Sequence, residues 1–147
     1  MSEAETQTIE APVTEAVAVL PTPSKKKKSK RSVPFGQLHV QATFNNTIIT
    51  FTDKSGAVLT SSSAGACGFR GSKKGTAYAA QVAAEKAGTM AKQQYGIAKV
   101  DVFVNGVGQG REAAVRALMG LDISAESIKD MTGIAHGGCR PKKARRV

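Results

Sequence analysis

The chain has 147 residues, enough for one domain around one core, and its 41% apolar content is ordinary for a globular protein. Aromatics are only 5% and tryptophan is absent, so the core must be built from aliphatic side chains and alanine, with its elements closely approached. A net charge of +10, from 21 basic and 11 acidic residues, points to a polyanionic partner, and the lone Cys67 and Cys139 exclude a disulfide framework.

The first 33 residues form an acidic-then-basic extension, expected to be disordered. Residues 1–23 hold four acids and no base, and residues 24–34 hold six bases and no acid. No secretory leader or membrane segment is expected here. The start is acidic where a leader needs positive charge, and the apolar run 16–20 is far too short to span.

From residue 34 to 131 the pattern is that of a mixed α/β domain. Leu38, Val40, Ala42 and Phe44 alternate onto one face, and after Asn45-Asn46 the alternation resumes with Ile49 and Phe51. This predicts a hairpin, with asparagine supplying the positive φ of a tight turn. A second turn over residues 53–56 leads to a third strand at 57–61.

The loop SSAGACGFRGSKKG over residues 62–75 precedes a helix whose stripe of Ala80, Ala83, Ala84, Ala87, Met90 and Ala91 faces inward, with Gly96 as its stop. Residues 97–104 alternate as a fourth strand. The segment NGVGQGR then opens a shorter helix over residues 111–119, with Ala113, Ala114, Ala117 and Leu118 inward and Arg111, Glu112 and Arg116 outward. A weak fifth strand covers residues 121–129, and residues 132–147 form an aperiodic basic tail with five bases and no acid. The expected order is βββαβαβ: an antiparallel meander extended through two helices into a mixed sheet.

Two strand-to-helix junctions are rich in glycine and carry bases, and such junctions present backbone N–H groups and a helix dipole to an anion. The glycines could equally serve only to turn the chain and seat the helix. A dinucleotide loop is excluded by spacing. Gly106, Gly108 and Gly110 give G-x-G-x-G, Arg111 occupies the place of the third fingerprint glycine, and Asp122 comes too early for the ribose acid. In the other loop Lys73-Lys74 precede Gly75-Thr76, the wrong register for a P-loop. A zinc site from Cys67, Cys139, His39 and His136 lacks paired ligand spacing, and no nucleophile motif occurs, so no cofactor, metal or catalytic group is expected.

What remains is phosphate chemistry. Lys54, Arg70, Lys73, Lys74, Arg111 and Arg116 stand in or beside turns and helix starts. The tail adds Arg140, Lys142, Lys143, Arg145 and Arg146 beside Gly137-Gly138 and Pro141, a composition suited to threading between RNA helices.

Four runs carry a family resemblance: ATFNNTIITFTD (42–53), GFRGSKKGTAYAAQVAAEKA (68–87), NGVGQGREAAVRAL (105–118) and HGGCRPKKARRV (136–147). Together they resemble the small-subunit ribosomal protein S-eleven family of bacterial and organellar type, over about residues 34–147. The resemblance implies a non-enzymatic protein of the ribosome with a ribonuclease H-like mixed sheet lacking catalytic acids. It also implies binding to small-subunit ribosomal RNA on the platform, bridging several RNA helices beside the Shine–Dalgarno cleft. The neighbours implied are the small-subunit proteins S-seven and S-eighteen and initiation factor three.

Carried onto the matching motifs, RNA contacts are expected at Asn45, Asn46, Lys54, Arg70, Lys73, Lys74, Gly108, Gly110, Arg111, Arg116, His136, Arg140, Lys142, Lys143, Arg145 and Arg146. The chain departs from the family pattern at Gly75, where serine is usual, and at Ala77, where proline is usual. In the tail the usual residues are proline at Gly133, Ala135 and Lys142 and asparagine at Gly137.

Overall fold

The structure, a computed structural model, describes residues 32–144. The expected extension therefore falls outside the described residues up to residue 31, as do Arg145 and Arg146. Five strands and two α-helices follow in the expected order: β1 (Phe35–Ala42), β2 (Thr47–Asp53), β3 (Val58–Ser63), α1 (Ala77–Tyr95), β4 (Lys99–Asn105), α2 (Gly110–Met119) and β5 (Ser124–Asp130). A 3-10 turn over Gly71–Gly75 precedes α1.

The strands form one mixed sheet in the order β3-β2-β1-β4-β5. The meander β1-β2-β3 is antiparallel, whereas β4 lies parallel to β1 and β5 parallel to β4. The parallel pairs follow from the intervening helices, which return the chain to the same end of the sheet before each new strand. In register, Leu38 lies opposite Phe51 and Val102, and Val40 opposite Ile49 and Val104. All six are buried on one face.

That face is covered by α1, which packs on β2 and β3, and by α2, which packs beside α1 and reaches β1, β4 and β5. The alanine stripe of α1 is buried at Ala80, Ala83, Ala84, Ala87 and Ala91, and Gly88 joins it against the ring of Phe51. Small helix residues thus make room for the largest fully buried side chain of the core. Met90, expected on this stripe, is 38% exposed. Ten residues beyond Ala80, at 3.6 per turn, it stands about 80° round the helix at the margin of the stripe, while Ala79, on the same side one residue before Ala80, is buried.

Thr76 caps α1: its hydroxyl accepts from the N–H of Ala79 at 3.3 Å and donates to the carbonyl of Lys73 at 2.8 Å. Gly96 closes the helix in the left-handed region, as its position suggested. Replacing Thr76 by alanine is expected to cost about 1 kcal/mol of stability, checked by chemical denaturation, because an N–H of the first turn loses its acceptor.

The first hairpin differs from expectation. Ala42 pairs with Thr47, so the connection is four residues long, and neither Asn45 nor Asn46 has positive φ. Instead Thr43 clamps the turn. Its N–H and hydroxyl both donate to the carbonyl of Asn46, at 2.9 and 3.0 Å, and its hydroxyl accepts from the Asn46 N–H at 3.1 Å. A four-residue connection does not need left-handed residues. Because β1 ends at Ala42, Phe44 lies beyond the alternation and is exposed, contrary to the inward face expected for it.

Smaller differences concern the ends. Val33 is already buried, with its N–H on the carbonyl of Tyr95. Ile97 is buried ahead of β4, and β5 starts at Ser124 after Asp122, which takes the positive φ at the end of α2. The third strand starts one residue late and runs to Ser63.

Candidate nucleic-acid interface

β1 and β4 run parallel and end together, so the β1–β2 turn and the β4–α2 loop share one end of the sheet, where α1 and α2 also begin. The glycines explain how closely these segments meet. Gly106 has φ of +100°, and a Cβ there would strike the carbonyl of Ala42. A Cβ on Gly108 would strike the carbonyl of Thr43, and one on Gly75 that of Phe44. The clamped turn is therefore wedged between the two glycine loops.

This wedge also shows why the β4–α2 loop is a poor cofactor cradle. The N–H of Gly108 donates to the carbonyl of Ala42 at 3.0 Å, and that of Gly106 to the hydroxyl of Thr132 at 3.1 Å. Gly110 is buried against Thr47 and Ala80. These loop amides are committed to the fold.

The basic residues sort by what their side chains touch. Arg111 is half-buried, donates to the carbonyl of Gly106 at 3.2 Å and pairs with Asp130, so it ties the loop to β5. Arg116 pairs with Glu112 one turn away on the exposed face of α2. Lys99 pairs with Glu126, Lys92 with Asp122, and Lys86 donates to the carbonyl of Ala66. Lys54 sits 4.1 Å over the ring of Phe35, at the opposite end of the sheet from the glycine loops.

Among the described residues, the side chains of Arg70, Lys73 and Lys74 make no ion pair or hydrogen bond within the protein. All three stand on or beside the 3-10 turn before α1, where Arg70 and Lys73 are exposed and Lys74 is half-buried. Asn45 is exposed and Asn46 half-buried at the turn tip next to them. The tail leaves β5 as an exposed segment without regular structure that carries His136, Arg140, Lys142 and Lys143. The structure thus gathers Asn45, Asn46, Arg70, Lys73 and Lys74 with the buried Gly108 and Gly110 at one end, and leaves Lys54 and Arg116 elsewhere.

Sequence reasoning missed the apolar part of this end. Phe44, Tyr78 and Val107 are exposed there, and Phe69 is half-buried against Tyr78. The absence of any acid from residues 42–47 and 62–84 was readable beforehand and marks the same surface.

Asp130 is held at a pKa of about 2. The hydroxyl of Thr132 donates to it at 2.6 Å and the Thr132 N–H at 3.0 Å, and Arg111 adds a charged bond. Because the folded value lies below the ordinary carboxylate range, the stabilisation is present above that range and disappears as pH falls through about 2. NMR titration of Asp130 should show this low midpoint, and Thr132→Val should raise it more than Arg111→Lys does, since Thr132 makes the larger contribution.

Among the described residues, no three His, Cys, Asp or Glu side chains converge on a common point, and no helix is long and apolar enough to cross a membrane. Comparison with known proteins gives a consistent set. The family model described as "Ribosomal protein S11" matches residues 36–146. The "Small ribosomal subunit protein uS11" of Coprothermobacter proteolyticus is 54% identical over 123 residues, 84% of this chain and 98% of the relative. That of Pseudoalteromonas atlantica is 52% identical over 131 residues, covering 89% of this chain and all of the relative. The "Small ribosomal subunit protein uS11c" of Cyanidioschyzon merolae is 56% identical over 121 residues, 82% of this chain and 99% of the relative.

Proposed function

The chain belongs to the ribosomal protein S11 family, non-enzymatic structural constituents of the small ribosomal subunit in bacteria and chloroplasts, and from this premise we propose that its glycine-loop end and tail bind small-subunit ribosomal RNA. The observation that carries the reading is that Arg70, Lys73 and Lys74 have no ion pair or hydrogen bond among the described residues and stand together on segments, 42–47 and 62–84, that contain no acid. Unpaired cations on a rigid turn neutralise phosphates without giving up internal bonds, and they position a backbone without reading sequence. The tail bases Arg140, Lys142, Lys143, Arg145 and Arg146 extend the same contact, with His136, and order on the RNA.

Asn45 and Asn46 supply polar contacts at the turn tip, while Gly108 and Gly110 shape the surface behind it. Arg111 acts mainly as the strut that holds the loop to β5. Lys54 and Arg116 lie away from this end, and contacts there would let one small domain bridge more than one RNA helix, as expected of a platform protein near the Shine–Dalgarno cleft. The small-subunit proteins S-seven and S-eighteen, and initiation factor three, are the protein partners of this reading, on the family resemblance.

The test is equilibrium binding of the full chain to small-subunit ribosomal RNA across salt concentrations, beside co-sedimentation with the small subunit after a high-salt wash. Binding should weaken steeply with salt, each neutralised phosphate adding roughly 0.7–0.9 to the log–log slope. Truncation after Gly138 should weaken binding and flatten that slope. Salt-independent binding, or loss of the protein from the washed subunit, would count against the proposal.

A further inference from the structure

Resting on the RNA-binding reading above, we infer that Phe44 and Tyr78 form a stacking site for unpaired bases. The RNA at this end is then a loop, bulge or junction with splayed nucleotides, not a continuous duplex. The inference starts from where the chain spends its few aromatics. Phe51 fills the core, Tyr95 packs against it, and Phe103 stacks on His39 with centroids 5.2 Å apart. Phe44 and Tyr78 are left 79% and 66% exposed.

The backbone of Phe44 and the ring of Tyr78 are held in place. Phe44 rides on the turn clamped by Thr43, and its carbonyl lies against Gly75, three residues before Tyr78. Tyr78 stands on the first turn of α1 and is propped by the ring of Phe69 in an edge contact at 5.9 Å. The Tyr78 ring, fixed in advance, loses little rotamer entropy on binding, and the clamped backbone under Phe44 presents its ring at a fixed place, which favours stacking. The free cations of the same loop, Arg70, Lys73 and Lys74, favour a polyanion over an apolar protein segment as the occupant, and no acid of residues 42–47 or 62–84 opposes it. Cations that track a backbone beside rings that stack its bases make a single-strand binding surface. The faces of bases in a continuous duplex are already stacked, and side chains cannot reach them there.

The experiment has two arms. In the first, the wild-type chain bound to small-subunit ribosomal RNA is crosslinked with ultraviolet light, and the nucleotides attached to Phe44 and Tyr78 are mapped. They should be nucleotides that are unpaired in the free RNA. In the second, Phe44→Leu and Tyr78→Leu are compared with Phe44→Tyr and Tyr78→Phe. Each leucine variant should bind on the order of 10-fold more weakly with an unchanged salt slope, because stacking releases no counterions, and each aromatic exchange should retain affinity.

Leucine variants that bind like wild type, or that weaken only by flattening the slope, would overturn the inference. So would crosslinks to paired nucleotides, or capture of a neighbouring protein by a photoreactive residue at position 44 in the assembled subunit. The crosslinking arm uses the unaltered chain and is independent of any variant's folding. Absence of salt-dependent binding by wild type is a different result: it removes the RNA-binding reading itself.

Discussion

Alanine at Gly106 is expected to lower the thermal midpoint of the domain by roughly 10–20 °C, from a loss of about 3 kcal/mol or more. Two costs combine. A φ of +100° strains any residue with a Cβ, by about 1–3 kcal/mol, and that Cβ would drive into the Ala42 carbonyl, another 1–3 kcal/mol or so for overpacking against backbone. Relaxing the clash would stretch the bonds that join the loop to Thr132 and Arg111, so the damage should spread toward β5. Gly120→Ala is the matched control. That glycine has an ordinary helical φ of −69°, a new Cβ would meet nothing closer than 3.6 Å, and the change should lie within about 0.5 kcal/mol of neutral. Equal midpoints for the two variants would contradict the wedge.

The second large effect concerns binding. Replacing Arg70, Lys73 and Lys74 together by glutamine should reduce affinity for small-subunit ribosomal RNA roughly 100-fold or more, at about 1 kcal/mol or more per lost charged contact. The log–log salt slope should fall by about 2–3 in magnitude. Stability should barely change, because none of the three side chains has a partner to lose among the described residues. Arg116→Gln should weaken binding far less, since Glu112 already pairs with that guanidinium. If Arg116→Gln proved as costly as the triple variant, the division between free and engaged cations would not describe the RNA surface.

Much of the fold was legible because it rests on short-range periodicity. The alternation at Leu38, Val40 and Ala42, and that at Val100, Val102 and Val104, marked the inner face of the sheet, and the alanines of α1 marked its buried stripe. Family motifs covered the same region and agreed with it. What could not be read locally depends on contacts between distant segments. Arg111 is expected at an RNA contact by motif and charge, but its internal partner Asp130 stands 19 positions on and only the fold brings the two together. Phe44 looked like core because alternation does not reveal where a strand ends. The asparagines looked like left-handed turn residues, but the four-residue connection was closed by Thr43 instead. Which cations remain free is a property of the whole arrangement, so Arg70, Lys73 and Lys74 could be shortlisted by charge but not separated from Arg111 and Arg116.

β5 differs in kind from the other strands. Like β3 it pairs on one side only, but it alone is exposed along nearly its whole length, and it is fastened at its far end by Asp130 to Arg111 and Thr132. With so little apolar surface buried, it should open locally at a free-energy cost well below that of unfolding the domain. The basic tail continues directly from this weakest element. Engagement of the tail would therefore hold β5 closed, so that joining the assembly suppresses the opening of the last strand.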